Sequence, residues 1–248
     1  MITSTSSSQV KHVVNLQKKA KLRKEEKQFV VEGVKMVSEA PADRLVKVYV
    51  SETFKADNEE FLERMNYDSI GKDVLEIVTD NVFMRMADTQ TPQGIMAVVR
   101  MSDTDLEGIL SDKRNPLLLI IENLQDPGNL GTIVRMAEGA GVTGIIMSSN
   151  TVDIYNPKTI RSTMGSLYRV PVIYVDDICE AADVCKSKGV TVYAAHLNGT
   201  DNYNKKDYTN PTAFMIGNEG NGLTDKLADK ADEYVRIPMQ GEVESLNA

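Results

Sequence analysis

The chain has 248 residues, of which 42% are hydrophobic and 26% are charged, a composition typical of folded domains that excludes disordered, collagen-like and coiled-coil classes. Its apolar runs are far too short to cross a bilayer, and the N-terminus has no hydrophobic signal segment, so we expect a cytoplasmic protein without a membrane partner. The two cysteines, Cys179 and Cys185, fit neither a disulfide framework nor a metal-binding pattern, and no metal is predicted.

The net charge of −8 is unevenly distributed along the chain. Residues 1–100 hold 15 basic and 15 acidic side chains, whereas residues 101–248 hold 13 and 21. Within the first part, residues 11–27 carry a local charge of +5. A basic stripe of this kind is typical of a surface that binds a phosphate backbone, and a solvated helix face is the plainer alternative. The candidate nucleic-acid-binding side chains are Lys11, Lys18, Lys19, Arg23 and Lys24.

The first part of the chain has the pattern of a small α/β domain, residues 1–102. Apolar spacing predicts an amphipathic helix over 8–22 and a second helix over 58–65. Polar residues at 103–115, with a short helix among them, predict a linker. Short apolar runs predict strands at 29–31, 46–50, 74–78 and 95–99.

The second part, residues 116–248, alternates strands with helices, which indicates a parallel sheet covered on both faces. Ligands of such sheets bind beyond the carboxyl ends of the strands, so the loops there form the candidate site. The predicted strands are 117–121, 144–147, 170–175, 190–195, 213–216 and 234–237. The predicted helices are 132–139, 158–165, 178–186 and 223–230.

Three loops at these strand ends have unusual sequences. Residues 122–131 read ENLQDPGNLG and lead into the helix that carries Arg135. Residues 217–222 read GNEGNG, and their glycines permit a close approach of ligand to backbone. Residues 237–247 contain IPMQG and SLN. No dinucleotide fingerprint or P-loop is present in the sequence, which disfavours a Rossmann-type nucleotide enzyme.

Together these loops resemble, in order, the three signature motifs of the SpoU (TrmH) family of RNA 2′-O-ribose methyltransferases in the SPOUT superfamily. The matching stretches are DPGNLGTIVRMAEGAGV, MIGNEGNGL and RIPMQGEVESLN. The N-terminal LQKKAKLRKEEKQFVVEGVKMVSEA is similar to the ribosomal-protein-like substrate-binding domain that often precedes the catalytic domain. The resemblance implies a C-terminal parallel-sheet SPOUT domain with a trefoil knot, bound S-adenosylmethionine, and a homodimer whose active site is completed across the interface.

The resemblance also implies residue roles. Arg135 matches the catalytic arginine of the family, and because a guanidinium stays protonated we expect it to bind the target phosphate and polarise the 2′-oxygen. Asn129 would hold the loop or the ribose, or cap the helix, and Glu219 would fix Asn129, Arg135 or the partner's loop. Ser245 and Asn247 match the polar pair beside the ribose. The implied cofactor-binding residues are Leu197, Gly217, Asn218, Gly220, Ile237, Met239 and Leu246.

The function that the resemblance implies is S-adenosylmethionine-dependent 2′-O-methylation of ribosomal RNA, with the large subunit favoured and guanosine one candidate base. Ribosomal RNA is preferred over tRNA because family members that modify tRNA usually lack this N-terminal domain. Methylation of tRNA and a non-catalytic role in RNA binding or ribosome assembly are the alternatives. Arg161 is either a further phosphate contact or an ordinary surface arginine. The sequence ends at Ala248, where the family continues into a long helix, which favours a truncated chain.

Overall fold

The computed structural model describes residues 1–65, 74–111, 114–196, 199, 201–239 and 241. They divide into two compact units. The first comprises Met1–Ser102 and Asp153–Tyr168, and the second comprises Asp103–Val152 and Arg169–Ala248. None of the helices in these described ranges has the length and apolar character needed to cross a membrane.

Apart from the helix predicted over 8–22, which is divided into two, the predicted helices and strands are present, most of them with shifted ends, and α3, α4, α6 and β9 below are additional to the prediction. In chain order the helices are α1 (Ser8–Lys18), α2 (Ala20–Glu26), α3 (Val34–Ser38), α4 (Glu52–Asp57), α5 (Glu59–Met65), α6 (Asp80–Met86), α7 (Leu106–Leu110), α8 (Pro127–Gly139), α9 (Pro157–Thr163), α10 (Ile178–Ser187) and α11 (Asp225–Ala228). The strands are β1 (Gln28–Glu32), β2 (Leu45–Ser51), β3 (Leu75–Val78), β4 (Ile95–Arg100), β5 (Leu117–Ile121), β6 (Gly144–Ser148), β7 (Val172–Val175), β8 (Thr191–Ala195), β9 (Asp201–Asn202), β10 (Thr212–Ile216) and β11 (Glu233–Arg236).

The first unit is built on a four-stranded sheet in the order β1-β4-β2-β3. Strand β4 is antiparallel to both β1 and β2, and β3 is parallel to β2. The apolar side of α1, with Val13 and Leu16, packs in one cluster with Met96 of β4. The segment Asp153–Tyr168 joins the same unit, where the ring of Tyr155 lies 4.6 Å from that of Phe29.

The prediction of a single helix over 8–22 is wrong. The helix is interrupted at Lys19, whose backbone is extended with φ −117° and ψ 101°. The last carbonyls of a helix have no partner within it. The side chain of Arg23 donates hydrogen bonds to two of these carbonyls in α1. Its Nη1 donates to the carbonyl oxygens of Leu16, at 2.6 Å, and Gln17, at 2.8 Å. A long side chain from the next helix therefore ends α1.

Arg23 is also wrong as a predicted nucleic-acid contact, because it is buried, with 3% of its surface exposed. Its Nε and Nη2 both donate to Oδ2 of Asp153, at 3.0 and 2.6 Å. The guanidinium is therefore engaged inside the first unit and does not belong to its exposed surface. The other four candidates are exposed: Lys11, Lys18, Lys19 and Lys24.

The second unit is built on a seven-stranded sheet in the order β7-β6-β5-β10-β8-β11-β9, with parallel strand pairs throughout its described residues. Residues of α7, α10 and α11 pack in one cluster with Leu118 and Ile120 of β5. Because side chains alternate along a strand, Leu119 and Ile121 face the other side of the sheet, and both are buried there. Both faces are covered, as the continuous apolar strands predict.

The strand order reverses between β5 and β10. Strands β5, β6 and β7 follow one another outward on one side, whereas β10, β8 and β11 lie on the other. Ile121 at the end of β5 pairs with Ile216 at the end of β10. The loops that leave these two strands therefore start side by side, at the type of switch point where parallel sheets bind ligands.

Replacing the buried arginine tests its structural role. Arg23→Ala should lower the free energy of unfolding by about 3–5 kcal/mol, because it leaves the Asp153 carboxylate without its partner. Urea unfolding followed by circular dichroism measures the loss. Lys21→Ala, which removes an exposed pair with Glu25 in the same helix, should cost less than about 1 kcal/mol. Equal losses in the two variants would contradict this role.

Candidate active site

The first motif loop runs from the end of β5 into α8. The helix starts at Pro127, five residues before the predicted start, because Asp126 caps it by accepting a hydrogen bond from the Asn129 N–H at 2.8 Å. Asn129 is therefore not the N-cap that one sequence reading allows. It lies in the first turn of α8, where its side-chain amide reaches the second motif loop.

The second motif loop, Gly217 to Gly222, folds back on itself. The backbones of Asn218 and Gly222 exchange two hydrogen bonds of 2.9 Å. A Cβ at Gly217 would overlap the backbone of Gly222 and Leu223, and Gly222 itself has φ +69°, which an L side chain rarely adopts. Gly220 has ordinary space around it. The fold of the loop thus requires glycine at two of its three glycine positions.

Asn218 joins this loop to the first one. Its Oδ1 accepts hydrogen bonds from the backbone N–H groups of Gly220, at 2.9 Å, and Asn221, at 3.1 Å. Its Nδ2 donates to the carbonyl oxygen of Asn123 at 2.9 Å. One side chain therefore shapes the glycine loop from inside and attaches it to the loop after β5.

Glu219 forms the second attachment between the two loops. Its carboxylate accepts hydrogen bonds from the backbone N–H of Asp126, at 2.8 Å, from that of Gln125, at 3.1 Å, and from Nδ2 of Asn129, at 3.3 Å. Burial by itself would raise the pKa of Glu219. Donation from the Asp126 and Gln125 N–H groups, from its own backbone and from Asn129 outweighs burial, and the pKa lies below its ordinary value. The predicted link from Glu219 to Asn129 is present.

Arg135 stands apart from this cluster within the chain. It lies six residues after Asn129 on the same helix, which is about 9 Å along the axis and about 120° around it. Its side chain is exposed, and in the described part of the chain it forms no hydrogen bond or ion pair. Glu138, which lies three residues further along the helix, is instead paired with Arg169 at 2.6 Å. Arg135 is therefore available to a partner from outside the chain.

The third motif loop follows β11. Strand β8 lies between β10 and β11, and because all these strands are parallel, the three motif loops start at the same end of the sheet. Ile237 is 44% exposed and Met239 is partly buried. Four further predicted site residues lie outside the described residues: Leu197, Ser245, Leu246 and Asn247.

Several other polar side chains make contacts within the chain. Arg161 pairs with Asp88 at 2.6 Å inside the first unit, which corresponds to the ordinary surface arginine of the two sequence readings. The His196 ring stacks on Tyr234 at 4.9 Å. Gln125 was missed by the sequence reasoning: its Nε2 donates to the carbonyl oxygens of Asn123 and Asn150. Among the described residues, no group of His, Cys, Asp and Glu side chains is placed to hold a metal ion.

The pH dependence of the loop attachment follows from the pKa of Glu219. The pKa of Glu219 in the folded protein is below the ordinary value for glutamate. The hydrogen bonds to its carboxylate therefore stabilise the loops fully at pH values above the ordinary glutamate pKa. This stabilisation is lost as the pH falls through the lowered pKa. NMR titration should give a Glu219 midpoint below that of an unperturbed glutamate, with the Gln125 and Asp126 amide signals changing at the same pH. In Glu219→Gln these amide changes should vanish. A midpoint at or above the ordinary value would contradict the hydrogen-bond pattern.

Comparison with known proteins agrees with the three motifs. Residues 116–248 match the SpoU rRNA Methylase family and residues 7–97 match the MRM3-like substrate binding domain. The 23S rRNA (guanosine(2553)-2′-O)-methyltransferase RlmP of Bacillus subtilis (strain 168) is 34% identical over 177 residues. That match covers 69% of this chain and 66% of the relative, slightly less than two thirds of its length.

Two further proteins match almost the entire chain. An uncharacterized tRNA/rRNA methyltransferase of Synechocystis is 31% identical to this chain, in a match that covers 99% of this chain and 88% of the relative. The crystal structure of an AdoMet-bound rRNA methyltransferase from Sinorhizobium meliloti is 28% identical, with a TM-score of 0.83 over 99% of this chain and 91% of that one. The family model spans more than half of the chain, and the strands that lead into its three motifs are parallel members of one sheet. The chain belongs to the SpoU rRNA methylase family.

Proposed function

We propose that this protein transfers a methyl group from S-adenosylmethionine to a ribose 2′-hydroxyl of large-subunit ribosomal RNA. The observation that carries the proposal is the hydrogen bonding of Glu219, which joins the first and second family motifs at the switch point of the sheet. Ribosomal RNA is favoured over tRNA because the N-terminal residues match a substrate-binding domain and the Bacillus subtilis relative is named for 23S rRNA. Guanosine is the proposed base, since that name specifies it.

The glycine loop suits a bound S-adenosylmethionine. Gly220, Asn221 and Gly222 are exposed, and the glycines carry no side chains that would cover their peptide groups. Ile237 and Met239, with the predicted Leu197 and Leu246, would supply apolar contacts to the adenine. When bound, S-adenosylmethionine would supply an electrophilic methyl group on a sulfonium sulfur, with S-adenosylhomocysteine as the leaving group.

Residues of the chain itself would bind the RNA phosphate and orient the target ribose. Arg135 binds the phosphate beside the target ribose and polarises the 2′-oxygen. Because a guanidinium does not accept a proton, the 2′-hydroxyl proton passes to phosphate or water. Glu219 holds the Asn129 amide toward the ribose, and Ser245 and Asn247 are the further polar contacts that the family motif implies.

We also propose a homodimer. Within one chain Arg135 is separated from the Glu219 cluster, which supports an active site completed by the partner. The trefoil knot, the cytoplasmic location and the division into an RNA-binding domain, a linker at 103–115 and a catalytic domain stay predictions from the sequence.

Methyl transfer from labelled S-adenosylmethionine to 23S rRNA, with mapping of the 2′-O-methyl position, tests the function. Arg135→Ala should lower the rate about 10²–10³-fold, because it removes a charged donor to the reacting oxygen, and leave S-adenosylhomocysteine affinity in calorimetry unchanged. Arg169→Ala, another exposed arginine of the same unit, should keep the wild-type rate. Labelling of tRNA alone would favour the tRNA alternative. Absence of cofactor binding by the wild type would favour a non-catalytic RNA-binding protein.

The exposed lysines of the first unit supply a separate test of RNA binding. Lys18→Glu combined with Lys19→Glu should weaken binding and flatten its dependence on salt, by about 0.7 in the logarithmic slope for each single-strand phosphate that the protein no longer neutralises. Lys55→Glu, an exposed lysine on α4 outside the stripe, is the matched control and should leave the slope unchanged. Equal slopes for wild type and double variant would identify the stripe as a solvated face.

A further inference from the structure

A buried carboxylate lies directly beneath the glycine loop. Glu122 follows the apolar strand β5 and has only 6% of its surface exposed. In the described ranges it has no ion-pair partner. Burying an unpaired carboxylate costs several kcal/mol unless hydrogen bonds compensate. Its bonding partners therefore indicate what this group does.

Glu122 contacts both ends of the glycine loop. Its backbone N–H donates to the carbonyl oxygen of Ile216, the last residue of β10, at 2.9 Å. Its Oε2 accepts from the Thr224 N–H, and its Oε1 accepts from the Thr224 hydroxyl, both at 2.8 Å. Ile216 immediately precedes the loop, and Thr224 follows it after Leu223. One residue thus fixes the distance between the start and the end of this segment.

The donor and acceptor pattern requires a carboxylate. The Thr224 oxygen accepts the Leu227 N–H at 3.3 Å, as the cap of α11, so its proton points to Glu122. The Thr224 backbone supplies a second donor. A carboxylate has two acceptor oxygens for two donors, whereas a glutamine would place its NH₂ group against one of them. An amide at position 122 would therefore lose one of the two hydrogen bonds to Thr224.

We propose that Glu122 is a positioning residue for cofactor binding, which rests on the proposed function. By holding Ile216 and Thr224, it keeps the backbone from 217 to 223 in its binding conformation before the ligand arrives. Glu219 and Asn218 attach the middle of the same loop, so the ends and the centre are fixed by different side chains. A loop ordered in advance loses less conformational entropy on binding.

The test compares Glu122→Gln and Thr224→Val with the wild type, by calorimetry with S-adenosylhomocysteine. Each variant should bind about tenfold more weakly, because each loses a hydrogen bond between Glu122 and Thr224. Thr224→Ser, which keeps the hydroxyl, should restore the affinity. The double variant should lose little more than either single variant, since both break one interaction. Glu107→Gln, a carboxylate of the same unit that pairs with Lys188, is the control and should bind normally.

A readout without cofactor separates this inference from the proposed function. Hydrogen exchange of the backbone amides from 217 to 223 should be faster in both variants than in the wild type, while RNA affinity stays unchanged. Wild-type exchange and wild-type affinity in both variants would overturn the inference. If the wild type itself binds no S-adenosylhomocysteine, the proposed function fails, and the exchange data still decide whether Glu122 orders the loop.

Discussion

The parallel pairing of β5 with β10 is the constraint on which the candidate site depends. It places the ends of two strands that are about 95 residues apart in the sequence next to each other, at Ile121 and Ile216. Each strand then continues into a loop rich in backbone N–H groups, and Glu219 collects three donors from the opposite loop. Without this pairing the carboxylate would meet none of them. The geometry of the candidate site therefore depends on the register between β5 and β10.

The buried and exposed charges of the protein have separate tasks. Glu122 and Arg23 are buried and satisfied by specific partners, and both fix the path of the backbone. Arg135 and the lysines of α1 are exposed, which leaves them available to a polyanion. The net charge of −8 conceals this arrangement, because the basic residues that matter lie on one stripe and on one helix.

Much of the architecture could be predicted from local signals. Apolar runs located six of the seven strands described in the second unit, since buried parallel strands are continuous in hydrophobicity, and missed only the two-residue polar strand β9. The motif resemblance anticipated the contact between Glu219 and Asn129. The start of α8 could have been read correctly as well, because Asp126 followed by Pro127 is a strong helix-start signal. The break at Lys19 could not, since it depends on Arg23 reaching back to α1 and on Asp153, 130 residues further along the chain. Yet Arg23 follows Leu16 by seven residues, a spacing that places it on the apolar face of a continuous helix and marks it as unsuited to solvent.

The first unit contains residues from both of the segments that match family models. Asp153 and Tyr155 belong in sequence to the SpoU-matched half, yet they complete the packing around Arg23 and Phe29. An N-terminal fragment cut at the linker would retain its entire sheet and still lack a counterion and an aromatic neighbour. A graft of the N-terminal segment onto another catalytic domain would therefore have to include a segment that supplies the same two contacts.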